Sequence, residues 1–168
     1  MDIFDRAERL MGMSDTVWAR HASPLSCYSR FSILPLFALA VWARAWIGWG
    51  ALVPVILVLI WTWANPRVFP QPRHTDNWAS KGTFGERVFL NRKAVPIPAH
   101  HLRWALGLSW ASSVGLPFFA WGLWAFDLWL TLLGMVLIAL PKVWFVDRMV
   151  WLYEDMKEAT PEYRSWLR

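Results

Sequence analysis

From Phe31 to Ala64 the chain carries one charged side chain, Arg44, in 34 residues. As a single helix that stretch would be about 51 Å long, far beyond the ~30 Å hydrocarbon core of a bilayer. A soluble helix of this kind needs a polar face at helical spacing, and Leu52 to Trp63 offers only Thr62 besides its tryptophans. The stretch is therefore expected to turn back on itself within a membrane. Trp46-Ile47-Gly48-Trp49-Gly50 supplies the turn, and Pro35 and Pro54 fall early in the flanking helices, where a missing N–H costs little.

A second apolar run, Leu102 to Phe145, is interrupted near Trp121-Gly122-Leu123-Trp124 and divides in the same way. The expected fold is an all-α integral membrane protein in one domain, with four short transmembrane helices arranged as two hairpins. They are placed at about 30–47, 50–64, 102–122 and 126–146, leaving 1–29, 65–101 and 147–168 outside the bilayer. Hydrophobic residues make up 57% of the chain and charged residues 17%, against roughly 45–50% and about 25% in soluble domains. That balance excludes disorder and a charge-rich coiled coil, and a lone Cys27 excludes a disulfide scaffold.

Thirteen of the 17 Lys and Arg lie in the three segments outside the spans, Arg30, Arg103 and Lys142 lie toward the inner ends of the spans, and only Arg44 lies on the other side. An even number of spans puts those segments in one compartment, which the positive-inside rule assigns to the cytoplasm, with both termini there. The net charge of +5 is then a matter of orientation, and no nucleic-acid partner is expected. Trp46, Trp49, Trp121, Trp124 and Trp129 fall at the outer ends and Trp61, Trp63, Trp104 and Trp144 at the inner ends, as aromatic belts do. Asp2, Asp5, Arg6, Glu8 and Arg9 precede any apolar core, so no cleavable signal is expected. Cys27 is expected to stay reduced, as a structural or incidental residue.

Within 65–101, Thr83 and Glu86 have capping-box spacing for an interfacial helix, with Phe84, Val88 and Phe89 toward lipid or bundle and Glu86, Arg87 and Arg92 toward water. The fourth helix is expected to run on to Glu158, and Thr160-Pro161 to open a short terminal helix. Gly107, Ala111 and Gly115 form a stripe of small residues for close approach to the fourth span.

The polar groups converge on the cytoplasmic face. Asn65, Arg67, His74, Glu86, Arg87, His100, Asp147 and Arg148 are the candidate lipid- or partner-binding residues, with arginines, Arg73 among them, suited to phosphate. Membrane lipids are the expected partners, with a protein partner or a second copy of the chain as alternatives. A small membrane enzyme acting on a lipid would use the same face, with Glu86, His74, His100 or Asp147 moving protons. No metal or cofactor is expected: adjacent His100 and His101 would point about 100° apart on a helix, His21 and His74 stand alone, and no phosphate loop or nucleophile elbow is present. Two polar contacts are anticipated. Asn65-Pro66-Arg67 would cluster with Asp147-Arg148, and Arg44 would pair with Asp127 across the outer ends, unless Asp127 caps the fourth helix instead.

His21-Ala22-Ser23-Pro24, Asn65-Pro66-Arg67-Val68-Phe69-Pro70, Gly85-Glu86-Arg87-Val88 and the run from Lys142 to Leu152 together resemble an uncharacterised family of small prokaryotic membrane proteins, a domain of unknown function. The similarity extends from about His21 to Met156. It implies a multi-pass protein of the prokaryotic cytoplasmic (inner) membrane and assigns no reaction.

Overall fold

The computed structural model describes residues 12–168, so the expectations placed on Asp2, Asp5, Arg6, Glu8 and Arg9 lie outside the described residues. Every regular element among the described residues is helical. In chain order these are α1 (Asp15–His21), α2 (Pro24–Ser29), α3 (Ile33–Trp42), α4 (Arg44–Ile47), α5 (Leu52–Val68), α6 (Trp78–Leu90), α7 (Ala99–Ala125), α8 (Leu128–Met156) and α9 (Pro161–Ser165). Three helical stretches, Pro24–Val68, Ala99–Ala125 and Leu128–Met156, are long and apolar enough to cross a membrane.

The first of these is not one rod. Gly48 adopts φ +53° and ψ −129°, a conformation that glycine reaches without penalty, and α5 then packs against α3. Pro54 lies in the first turn of α5 and Pro35 in that of α3, where the amide hydrogens have no intrahelical partner to lose. Phe126, in the left-handed conformation, ends α7, and Asp127 starts α8 by accepting a hydrogen bond from the Leu130 amide at 2.9 Å.

α7 and α8 lie against each other along much of their length, and glycines set how close they come. A Cβ on Gly115 would lie 2.7 Å from the Gly134 carbonyl, and one on Gly122 would lie 2.5 Å from the Thr131 amide. The anticipated stripe is only partly right. Gly107 faces open space, and the contact continues through Phe119 and Gly122 instead, farther toward the helix end.

The expected capping box is overturned. α6 begins at Trp78, where Asn77 accepts from the Ser80 amide at 3.0 Å, so Thr83 is buried in mid-helix and donates to the Ala79 carbonyl. Of the two settings anticipated for its apolar face, α6 takes the bundle. Gly85 lies so close to Met149 of α8 that a Cβ would overlap the Met149 backbone, and Phe84, Val88 and Phe89 join Phe145, Met149, Leu152 and Tyr153 in the main core. That core also takes in Tyr163 of α9, whose helix Thr160 caps as expected.

Burial is therefore concentrated at one end. Of the most apolar window in Pro24–Val68 only 6% is buried inside the protein, and Trp46, Trp49, Trp110 and Trp129 are each more than 70% exposed. Apolar surface on that scale has to be covered by lipid or a partner.

Arg44 does not pair with Asp127. Its Nη2 donates to the Leu123 and Trp124 carbonyls at 2.6 and 2.7 Å, and its guanidinium lies 4.0 Å from the Phe126 ring centroid. Those carbonyls belong to the last turn of α7, where no intrahelical amide reaches them, so the cation satisfies a helix end rather than a carboxylate. Arg44→Ala and Asp127→Ala are accordingly expected to destabilise the protein additively, within about 0.5 kcal/mol, in detergent melts. Gly85→Ala is expected to cost about 1–3 kcal/mol or more, while Gly107→Ala leaves stability unchanged.

Candidate active or binding cavity

A cavity of about 290 Å³ opens where α1, α2, α6 and α8 meet. Its lining includes the charged or polar side chains of His21, Arg30, Glu86 and Lys142 together with apolar ones, Phe31, Leu34, Ile138 and Val143 among them. The helices place the charged pair: Lys142 stands one turn past Ile138 on α8, and Glu86 follows Gly85, whose contact with Met149 holds α6 against that part of α8.

Glu86 and Lys142 form an ion pair at 3.1 Å. Burial alone would raise the Glu86 carboxyl, but Lys142 and the other nearby cations outweigh it and hold it below the usual carboxylate range. The expected water-facing position of Glu86 is thus corrected: its partner lies 56 residues away, on a helix that sequence spacing could not bring to it.

Behind the cavity, Asn65 is fully buried and hydrogen-bonded through both ends of its amide. Its Oδ1 accepts from Ser26 Oγ at 2.9 Å and from Arg30 Nε at 3.3 Å, while its Nδ2 donates to Ser29 Oγ at 2.7 Å. Ser26 has one hydroxyl proton and gives it to Asn65, so at 3.1 Å from His21 Nδ1 it can only accept. His21 therefore carries its proton on Nδ1 and keeps Nε2 as a bare acceptor. Burial, and next the charge of Arg30, push the His21 pKa down to about 3. The imidazole is neutral at physiological pH.

Of the sequence-derived candidates, Glu86 lines the cavity and Asn65 orders its wall. The others are dispersed. Arg67 reaches the Trp63 carbonyl, stacks on the Trp63 ring and accepts Arg20 on its own carbonyl. Arg87 pairs with Asp15 and Glu162 and lies over Trp166. Asp147 accepts from Trp78 Nε1 at 3.0 Å, and Arg148 sits 5.5 Å from the Trp104 ring centroid. Asp147 pairs with neither Arg67 nor Arg148, so the anticipated cluster does not form: Asn65 and Arg67 find their partners around α1 and α2 instead. His74 is exposed, and His100 lies beside His101 and Asp155.

Reasoning from charge at the membrane face missed His21, Arg30 and Lys142. The signal for His21 and Lys142 was the set of short motifs, because His21, Asn65, Glu86 and Lys142 each come from a different one and meet here, whereas Arg30 lies in none of them. The chain belongs to DUF6653, a family of unknown function. Its model matches residues 2–166, nearly the whole chain. No curated protein and no solved structure matches. Membership carries no activity, so the chemistry of the cavity has to be argued from its own residues.

The His21 shift gives a pH dependence. The unfolded chain binds a proton near pH 6.5 and the folded one only near 3, so the unfolded state gains protons first and stability falls as pH drops through that window. The depressed Glu86 carboxyl adds a further loss below its ordinary value of 4.5. Thermal melts between pH 7 and 4 are expected to lose stability with a slope approaching about 1.4 kcal/mol per pH unit, and His21→Gln is expected to flatten that slope.

Proposed function

We propose that this chain is a four-span protein of the cytoplasmic membrane, with both termini and the α6 region inside, and that its cavity binds the headgroup of a membrane lipid bearing phosphate and hydroxyl groups. The carrying observation is a cavity whose lining combines fixed cations and a neutral imidazole with apolar side chains suited to an acyl chain. Arg30 is held by Asn65 and Lys142 by Glu86, so both cations are positioned before any ligand arrives. Against those two positive charges stands one carboxylate, which leaves a surplus that favours phosphate. The bare Nε2 of His21 can accept a hydrogen bond from a hydroxyl, which a headgroup ending in a polyol supplies.

The topology rests on the distribution of Lys and Arg together with the break at Gly48 and the packing of α5 on α3. Cysteine labelling in intact cells tests it on a Cys27→Ser background. Trp49→Cys is expected to react with an impermeant maleimide and Ala94→Cys to be protected, and the reverse pattern rejects the orientation.

The lipid reading is tested by exchanging purified protein into detergent micelles containing phosphatidylglycerol and counting retained lipid by native mass spectrometry. Retention of one lipid is expected. Arg30→Gln and Lys142→Gln are each expected to weaken it about tenfold or more, the size of a lost charged hydrogen bond, while Arg148→Gln leaves it unchanged. Equal retention by all variants would reject the cavity as the binding site. Stoichiometric recovery of a protein partner displaced by Lys142→Gln, with no lipid bound, would favour a protein ligand instead.

A further inference from the structure

A second cluster lies well away from the cavity. His100 and His101 open α7, and Asp155 stands near the end of α8, nine residues beyond the cavity residue Val146 and so about 14 Å farther along the helix. We propose that His100, His101 and Asp155 bind a divalent transition-metal ion.

Each of the three residues offers one donor atom, and those atoms all lie within 4.8 Å of one another. His101 Nε2 and Asp155 Oδ2 are already 2.8 Å apart. Around a tetrahedral ion with bonds of about 2.0–2.2 Å, neighbouring donors lie roughly 3.3 Å apart. Small side-chain rotations would therefore close the site.

A hydrogen bond between His101 and Asp155 would be sufficient account of those two residues alone. It leaves one observation over, which is His100. Successive residues on a helix diverge by about 100°, yet its exposed ring turns back until the two imidazole centroids are 4.1 Å apart, at a tilt of 39°. A shared cation accounts for the convergence of the two rings and the carboxylate.

The electrostatics are permissive. The positive end of α7 and the negative end of α8 meet here and offset each other, and the Asp155 carboxylate adds a negative charge beside the two imidazoles. Two imidazoles and one carboxylate suit zinc, cobalt or nickel better than magnesium or calcium, which prefer all-oxygen shells. Three protein ligands leave a coordination position for water or another ligand. Occupancy would clamp the beginning of α7 to the end of α8.

The test is a titration of the full chain, free of any histidine tag, with Co²⁺ in detergent at pH 7.5. Saturable binding of one ion with visible absorption bands is expected, displaced by Zn²⁺ and not by Mg²⁺. His100→Ala and Asp155→Asn change exposed side chains, so both variants are expected to fold, and each is expected to weaken binding about tenfold or more. Zn²⁺ is expected to raise the melting temperature of the unaltered chain and not of the His100→Ala, Asp155→Asn double variant. Absence of saturable binding up to 1 mM, or binding that both substitutions leave intact, would overturn the proposal. Cobalt affinity does not depend on Arg30 or Lys142, so the lipid reading and this one fail separately.

Discussion

The contact between Gly85 and the backbone of Met149 fixes the position of everything on the charged side of the molecule. Without a Cβ at 85, α6 comes down onto α8 until main chain meets main chain, and no other residue type permits that separation. Glu86 is the next residue, so the same contact delivers its carboxylate to Lys142. Phe84, Val88 and Phe89 then complete a core with Phe145, Leu152 and Tyr153, and burying each large side chain is worth about 1.5–3 kcal/mol. The apolar packing holds α6 in place, and the glycine decides how deeply it sits.

Asn65 does for the other wall what Gly85 does for this one. A fully buried amide has to spend its donors and its acceptor on protein groups, and it does so on Ser26, Ser29 and Arg30 of the segment leading into α3. The result is a chain of dependence from the end of α5 through Ser26 to the tautomer of His21. A polar network in this setting specifies geometry more than it adds stability, because each member would be costly to bury alone.

What could be read from the residues alone, and what could not, divides along the same line. The apolar stretches were visible because a charge-free run has only one kind of solvent, and Arg44 alone in 34 residues made the first unmistakable. Thr160 and Pro161 were visible because a cap is decided within a few residues. Thr83 and Glu86 misled for that same local reason: the pattern fits a cap, but Asn77 provides one earlier and Lys142 claims the glutamate across 56 residues. Asp127 took the local option and Arg44 the distant one. His100 and His101 were judged by helical angle, although side chains in a first turn have room to swing together. Side chains with two competing partners are the ones a sequence leaves undecided.

Arg44 has one more consequence, for the order in which such a protein is built. Its acceptors are the carbonyls of Leu123 and Trp124, about eighty residues later in the chain. Under the four-span topology, the ribosome delivers the first pair of helices to the bilayer while those acceptors are still unsynthesised. The guanidinium has to wait among lipid phosphates or water, with the first hairpin inserted but not finished. In that topology only the arrival of α7 would release it from the interim shell, and the second hairpin would act as the template on which the first settles.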